Sequence, residues 1–375
     1  MTATVSNDFF LKERTLPETK SELLGKCFEV WCTSRLTGAP QPAPALFMDL
    51  CATLDAGQET ESSTPASLLR AIQRGTANLH DLNRRLLAVF GDPDQEAMDG
   101  LQQQLERLPY YEKLEHRPLY LREAADKTLV SELLALEAPV FALLDLFDRA
   151  SPAQYLPELI ARENTDLLLL LCPEKISLGL SGKQGKLLTE VLGPGLLRLK
   201  GYFKREKDLV RREKYTLSVL REALREKGYL AVQFSVYPPE NEGLGHTLLL
   251  ASKESSAYRG FKEALLPYTT FQEDGIPLFY SNKRKQSQLA LFSEQARYTL
   301  ENLAVELEQQ SGAYKYKMIE KVYEEHSLGT DYIRENYVEA FKLLRNRGKV
   351  EFLNPKTMQP IKIATATSVV KYRSV

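Results

Sequence analysis

The chain has 375 residues, with 49 Lys and Arg against 50 Asp and Glu, and 43% of it is hydrophobic. At roughly 100–200 residues per domain, that is enough for two or three units with cores of their own. The cancelling charge excludes a uniformly basic nucleic-acid coat and an acidic disordered tail; four scattered cysteines, Cys27, Cys32, Cys51 and Cys172, argue against a disulfide scaffold and a CxxC zinc site.

The first twenty residues lack the basic start and long apolar stretch of a signal peptide. The most apolar run, Leu167 to Cys172, is far shorter than the ~20 residues that span a bilayer. The expectation is a globular protein of the reducing cytoplasm with no membrane partner.

Residues 17–32 place Leu23, Leu24, Cys27, Phe28 and Trp31 at helical spacing. After a loop with Pro40, Pro42 and Pro44, ALFMDLC (45–51) is a short apolar segment, and a helix is expected over 66–74. RRLLAVFGD (84–92) reads as a buried strand ending at Asp92, followed by a helix over 93–108 with proline near its first turn. Helices over 123–137 and 152–162 lead into the apolar strands VFALLDLF (140–147) and TDLLLLLC (165–172). Continuous apolar strands alternating with amphipathic helices predict an α/β fold, Rossmann-like, whose mostly parallel sheet is covered on both faces.

GLSGKQGK (179–186) hints at a phosphate loop, but its outer glycines are one residue too far apart and Leu187 stands where Ser or Thr belongs; a surface loop is expected. From 198 to 228 the chain is helical and basic, with eleven Lys or Arg against five acids, part of a helical insertion over about 176–228. Strands over 229–238 and 246–252 and a helix over 255–266 complete a first domain, 15–282. A linker (283–293) leads to 294–375, where helices near 294–310, 313–325 and 331–347 precede Gly348 and an extended ribbon, the outline of a winged helix.

In open parallel sheets, ligands bind beyond the strand C-terminal ends. Asp49, Asp92 and Asp145 all fall there, where a carboxylate can hold a ribose or polarise an amine; equally, a strand end is simply where polar residues begin. Together these segments resemble the three-Cys-motif partner (TcmP) family, which joins a Rossmann-like methyltransferase domain to a C-terminal winged helix. The resemblance rests on KSELLGKCFEVWC, then LFMDLCATLD with Asp49 and Ala52 in register, then Thr64-Pro65, VFGDPDQEAMDGL, Asp145-Leu146-Phe147 and NTDLLLLLC. It implies S-adenosylmethionine as cofactor, with Asp49 near its amino-acid end, Ala52 in the first loop and Asp92 near its ribose. It also implies Asp145 touching a target amine, Phe147 stacking on a base, and a three-Cys-motif protein as partner. Where the family has three glycines this chain has Leu50, Thr53 and Asp55, whose side chains and charge oppose close approach of the ligand.

Nucleic-acid contacts are expected from Arg211, Arg212 and Lys214 on the basic helix, and from Arg334, Lys342, Arg345, Arg347, Lys349 and Lys356 around the third winged-helix helix and its ribbon. Interleaved acids leave a merely solvated face as the alternative, and residues 294–375 carry thirteen bases against eleven acids. Gln288, Leu289, Leu291 and Phe292 in the linker match the short QL-x-LF peptide that binds bacterial sliding clamps. The four histidines, His80, His116, His246 and His326, are widely separated, and no metal site is expected. Two readings follow: an S-adenosylmethionine-dependent methyltransferase acting on or docking to nucleic acid, most readily DNA, or a degenerate member of that fold that only binds nucleic acid or protein.

Overall fold

The computed structural model describes residues 14–37, 44–52, 60–75, 81–92, 94–122, 127–147, 153–180, 182–237, 245–281 and 297–373. The chain divides into two compact units, Asp8–Leu265 and Leu266–Val375. The linker peptide Gln288–Phe292 and loop residues Thr53 and Asp55 lie outside the described residues.

In the first unit, α1 (Leu16–Leu36) opens on a capping box. The Thr15 hydroxyl accepts the Glu18 N–H, and the Glu18 carboxylate accepts the Thr15 N–H at 2.8 Å, so two otherwise orphaned donors are satisfied. Leu23, Leu24, Cys27, Phe28 and Trp31 line one buried face that packs on the sheet, with the Trp31 ring stacked on Phe141. The far end of α1 is pinned by charge. Arg35 donates twice to the fully buried Asp166 carboxylate, at 2.7 and 3.0 Å, and Trp31 Nε1 donates to it at 3.1 Å.

The sheet is built from β1 (Ala45–Asp49), β2 (Leu86–Gly91), β3 (Leu119–Leu121), β4 (Val140–Asp145), β5 (Thr165–Leu171), β6 (Leu230–Val236) and β7 (His246–Ser252). These strands stand in the order β3-β2-β1-β4-β5-β7-β6. All are parallel except β7, which runs antiparallel to both β5 and β6. Every residue of β1 is buried, as a strand covered on both faces requires. The helices α2 (Thr64–Arg74), α3 (Leu82–Arg85), α4 (Gln95–Glu106), α5 (Lys127–Ala135) and α6 (Leu156–Ala161) connect the parallel strands, and α11 (Ser255–Leu265) packs beside α1.

Four helices fill the connection from β5 to β6: α7 (Pro173–Gly179), α8 (Gly182–Leu192), α9 (Pro194–Arg205) and α10 (Leu209–Glu226). The stretch expected to be a surface loop at 179–186 is instead the junction of α7 and α8. Gly179 is buried there because a Cβ would sit 2.8 Å from the Phe147 Cα, so only glycine lets the helix approach that backbone. On α10, Leu217, Leu220 and Leu224 turn into the core, and the buried Glu213 accepts a 2.7 Å hydrogen bond from Thr247 on β7.

The second unit contains α12 (Leu300–Gln309), α13 (Ser311–Tyr314), α14 (Ile319–His326) and α15 (Arg334–Asn346), then β8 (Val350–Leu353), β9 (Pro360–Ile361) and β10 (Val369–Tyr372). The ribbon is antiparallel in the order β9-β8-β10. One continuous helix over 313–325 does not form. Tyr316 takes φ +62°, its N–H donates to the Val370 carbonyl, and Met318 bridges to Val369, so the chain runs extended beside β10 before α14 begins. Gly348 at φ +72° ends the α15 segment, the left-handed conformation that favours glycine at a helix exit. Tyr323, Tyr332, Tyr337, Phe341 and Val370 form the buried centre of this unit.

Candidate functional site

Asp49, Asp92 and Asp145 stand at the C-terminal ends of β1, β2 and β4, three adjacent strands. Each performs the same local task. Asp49 Oδ1 accepts the Cys51 N–H at 3.1 Å, Asp92 Oδ1 the Asp94 N–H at 2.7 Å, and Asp145 Oδ1 the Phe147 N–H at 3.1 Å. An aspartate bonding the backbone two residues on turns the chain out of the strand. One oxygen of each carboxylate is therefore committed to the backbone.

The charges gather around Cys51. Burial, then the fields of Asp49 and Asp145, push its thiol well above the usual range, so it is not a thiolate nucleophile at neutral pH. Burial raises Asp49 to about 6, opposed by the Cys51 N–H and by Lys20. Lys175, on α7, pairs with Asp145 at 3.4 Å. His246, the first residue of β7, is lowered to about 4 by burial and then by Lys20 and Lys175, and so is neutral at physiological pH. Two lysines thus offset the carboxylates at this end of the sheet. A small crevice of about 60 Å³ opens among them, with Lys20, Asp49, Cys51, Thr64 and Pro65 on its wall and Leu248 among its apolar lining. That holds a few waters, whereas small-molecule sites usually need ~300 Å³ or more.

Ala52 is buried beside this crevice, its N–H bonded to the Gly91 carbonyl, which ties the first loop to β2. Phe147 is placed elsewhere: its side chain is fully buried in the core beneath Gly179, where packing excludes it from stacking on a base. A larger hollow, about 330 Å³, lies between Ile160, Glu190, Val191, Lys227 and Lys253. It sits by the N-terminal end of β5, away from the aspartates, and Lys253 is already bound to Glu163 and the Arg162 carbonyl; chemistry favours the smaller crevice. Sequence reasoning missed Lys20, Lys175 and His246. Lys20 sits one turn into α1, a position no strand-end argument reaches.

Of the expected nucleic-acid contacts, Arg212 is half-buried and engaged within its own unit. Its guanidinium donates to the Glu206 and Phe203 carbonyls and to the Ser177 hydroxyl, and stacks over the Phe203 ring, so it holds α9 and α10 together. Arg211 is exposed and pairs with Glu206 at 3.5 Å, and Lys214 is exposed. In the second unit Arg334 pairs with Glu320, Lys342 with Glu339, Arg347 with Glu301 and Lys349 with Glu308. Arg345 donates to the Lys362 carbonyl and covers the Phe352 ring. Lys356 is exposed at the ribbon tip. Among the described residues no group of His, Cys, Asp or Glu could hold a metal, and no helix is long and apolar enough to cross a membrane.

The strand order with a single reversed β7 makes the first unit a mostly parallel, Rossmann-like α/β fold, and the helices and ribbon make the second a winged helix. The family of GMT-like wHTH domains matches residues 280–357. Among solved structures the chain is similar to one described as the crystal structure of DszA carbon methyltransferase, at 15% identity and a TM-score of 0.36 over 65% of this chain. The match spans 56% of that chain, so the chain covers little more than half of its neighbour's length. No curated protein matches the sequence.

Proposed function

We propose that the protein is an S-adenosylmethionine-binding, methyltransferase-like protein that acts on or docks to nucleic acid, with DNA as its partner. The observation that carries this reading is the convergence of Lys20, Asp49 and Cys51 on one crevice beyond the C-terminal ends of the parallel strands, the end where open α/β sheets bind ligands. Lys20 supplies the cation that the acidic, glycine-poor loop otherwise lacks, and it would face the carboxylate of the methionine moiety. Asp49 would lie at the amino-acid end, Ala52 in the loop beside it, Asp92 at the ribose and Asp145 at the target nitrogen. Transfer of a methyl group to nitrogen depends on placement and on stabilising developing positive charge more than on a strong base. Isothermal titration with S-adenosylmethionine tests the reading: heat is expected, and Lys20→Glu should abolish it. No heat from the unaltered protein at millimolar ligand would sink it.

A second reading, a fold that keeps its shape and has lost its chemistry, is favoured by the ~60 Å³ crevice and the buried Phe147. Labelled S-adenosylmethionine separates the two: binding without methyl transfer to DNA supports the non-catalytic module. Recruitment to a sliding clamp through Gln288, Leu289, Leu291 and Phe292 belongs to either reading. Replacing Leu291 and Phe292 by Ala should abolish capture by the clamp, and unaltered capture refutes it. A three-Cys-motif protein is the further partner that the family resemblance implies, and co-purification of the two tests it.

A further inference from the structure

The bases of the winged-helix unit are not equally available to a phosphate backbone. Four of those on α15 and at its exit already face carboxylates: Arg334 faces Glu320, Lys342 faces Glu339 at 2.7 Å, Arg347 makes two bonds to Glu301 at 2.8 and 2.6 Å, and Lys349 faces Glu308 at 2.8 Å, while Arg345 spends its guanidinium on the Lys362 carbonyl and the Phe352 ring. Glu335 is a further exposed acid on α15. A duplex brought against this helix would meet acids interleaved with each base. The counterion release that drives phosphate binding would be offset by repulsion and by the ion pairs given up.

The ribbon differs. From Phe352 to the C-terminus the sequence contains no Asp or Glu. Lys371 and Arg373 pair back to Glu351, but Lys356 and Lys362 have no carboxylate partner among the described residues. The tip that carries Lys356 is cross-tied by hydrogen bonds. Asn354 Oδ1 accepts the N–H groups of Lys356 and Thr357 at 2.9 and 3.1 Å, Asn354 N–H donates to the Gln359 carbonyl, and Met358 N–H donates to the Asn354 carbonyl. Met358 is held at φ +56°, a conformation uncommon for a side chain of its size, and it remains 46% exposed. Ile363, just past β9, is 76% exposed. Arg345 fixes this segment by donating to the Lys362 carbonyl. The ribbon therefore presents an uncompensated cation and an exposed apolar side chain on the hydrogen-bonded turn, Lys356 and Met358, and a second such pair just past β9, Lys362 and Ile363. That is the composition of elements that enter a minor groove, where Lys meets the groove and its phosphates and Met or Ile wedges between base steps.

We infer that this unit grips duplex DNA through the ribbon, with Lys356 and Lys362 on the phosphates and Met358 and Ile363 in the minor groove, while α15 stays off the major groove. This rests on the nucleic-acid reading proposed above. The test measures binding of the full chain to a mixed-sequence DNA duplex over a salt series. Three variants accompany it: Lys356→Glu with Lys362→Glu, Met358→Asn with Ile363→Ser, and Lys342→Ala with Arg347→Ala. The lysine reversals should cut the salt slope by about two, one for each lost phosphate contact. The apolar pair should weaken binding with the slope unchanged, and the α15 pair should alter neither quantity. All six side chains are partly or fully exposed, and unchanged circular dichroism confirms that the variants fold. If the unaltered chain binds but only the α15 pair weakens it, the ribbon assignment is overturned while the nucleic-acid reading stands. If the unaltered chain shows no salt-sensitive binding to the duplex, both fall; a duplex-indifferent ribbon that captures protein instead is that outcome.

Discussion

Asp166 is a fully buried charge in the first unit, and its removal gives the sharpest test of how α1 is held. Its carboxylate is fully buried and accepts three hydrogen bonds, two from Arg35 and one from Trp31 Nε1. Asp166→Ala leaves the guanidinium and the indole N–H without their acceptor. Breaking a buried pair from one side costs about 3–5 kcal/mol. The Arg35 side chain keeps 12% exposure and can recover some hydration, which places the expectation near the lower end, about 3 kcal/mol. Asp166→Asn keeps the volume and one acceptor, so about 1–2 kcal/mol is expected from the lost charge assistance. Trp31 is the single tryptophan of the chain and sits in the network, so urea unfolding followed by its fluorescence reports on this unit directly. At an m-value of about 3 kcal/mol/M the alanine variant should lower the midpoint by about 1 M. A loss below about 1 kcal/mol at unchanged m, or equal losses for Ala and Asn, would refute the anchoring role. Lys20 lies fifteen residues before Arg35 on the same helix, about 22 Å along its axis, so the variant should also weaken any ligand held at the crevice.

Three further outcomes are expected. Glu213 ordinarily loses its proton near 4.5, whereas burial raises it to about 7 in the folded protein. Between those values the folded state binds more protons, so rising pH lowers stability; Glu213→Gln should gain on the original protein as pH climbs from about 4.5 to about 7, and parallel melting-temperature profiles contradict the assignment. Gly179→Ala drives a Cβ to 2.8 Å from the Phe147 backbone and should destabilise by about 1–3 kcal/mol in the same urea assay, while Gly201→Ala, with open space around it, should not. Cys51 should react with a disulfide reagent at pH 7 far more slowly than a free thiol, because burial and two carboxylates oppose its thiolate; fast single-site labelling at Cys51 would contradict that.

The parallel sheet was readable because β1, β4 and β5 are buried on both faces and so appear as continuous apolar runs. β3 was not, since Leu119–Leu121 is too short to show any period. The helix break at Tyr316 was also hidden: its cause is pairing with Val370, far along the chain, and no local residue announces it. Strand-end logic picked out Asp49, Asp92 and Asp145, because parallel register alone brings such positions together. It could not find Lys20 or His246, which arrive from α1 and from the reversed β7, nor could it see that Arg212 spends its donors on carbonyls. Charge counts likewise gave Arg347 and Lys349, at the exit of α15, no partners, because Glu301 and Glu308 come from α12.

The three strand-end aspartates have a bearing on how kinship should be judged. Each is held by the geometry of leaving a strand, whatever else it once touched. A chain without catalysis would still gain from all three, because each supplies a hydrogen bond to the corner it makes. Acids at these positions are thus accounted for by architecture alone, and a working enzyme is diagnosed by what lies between them.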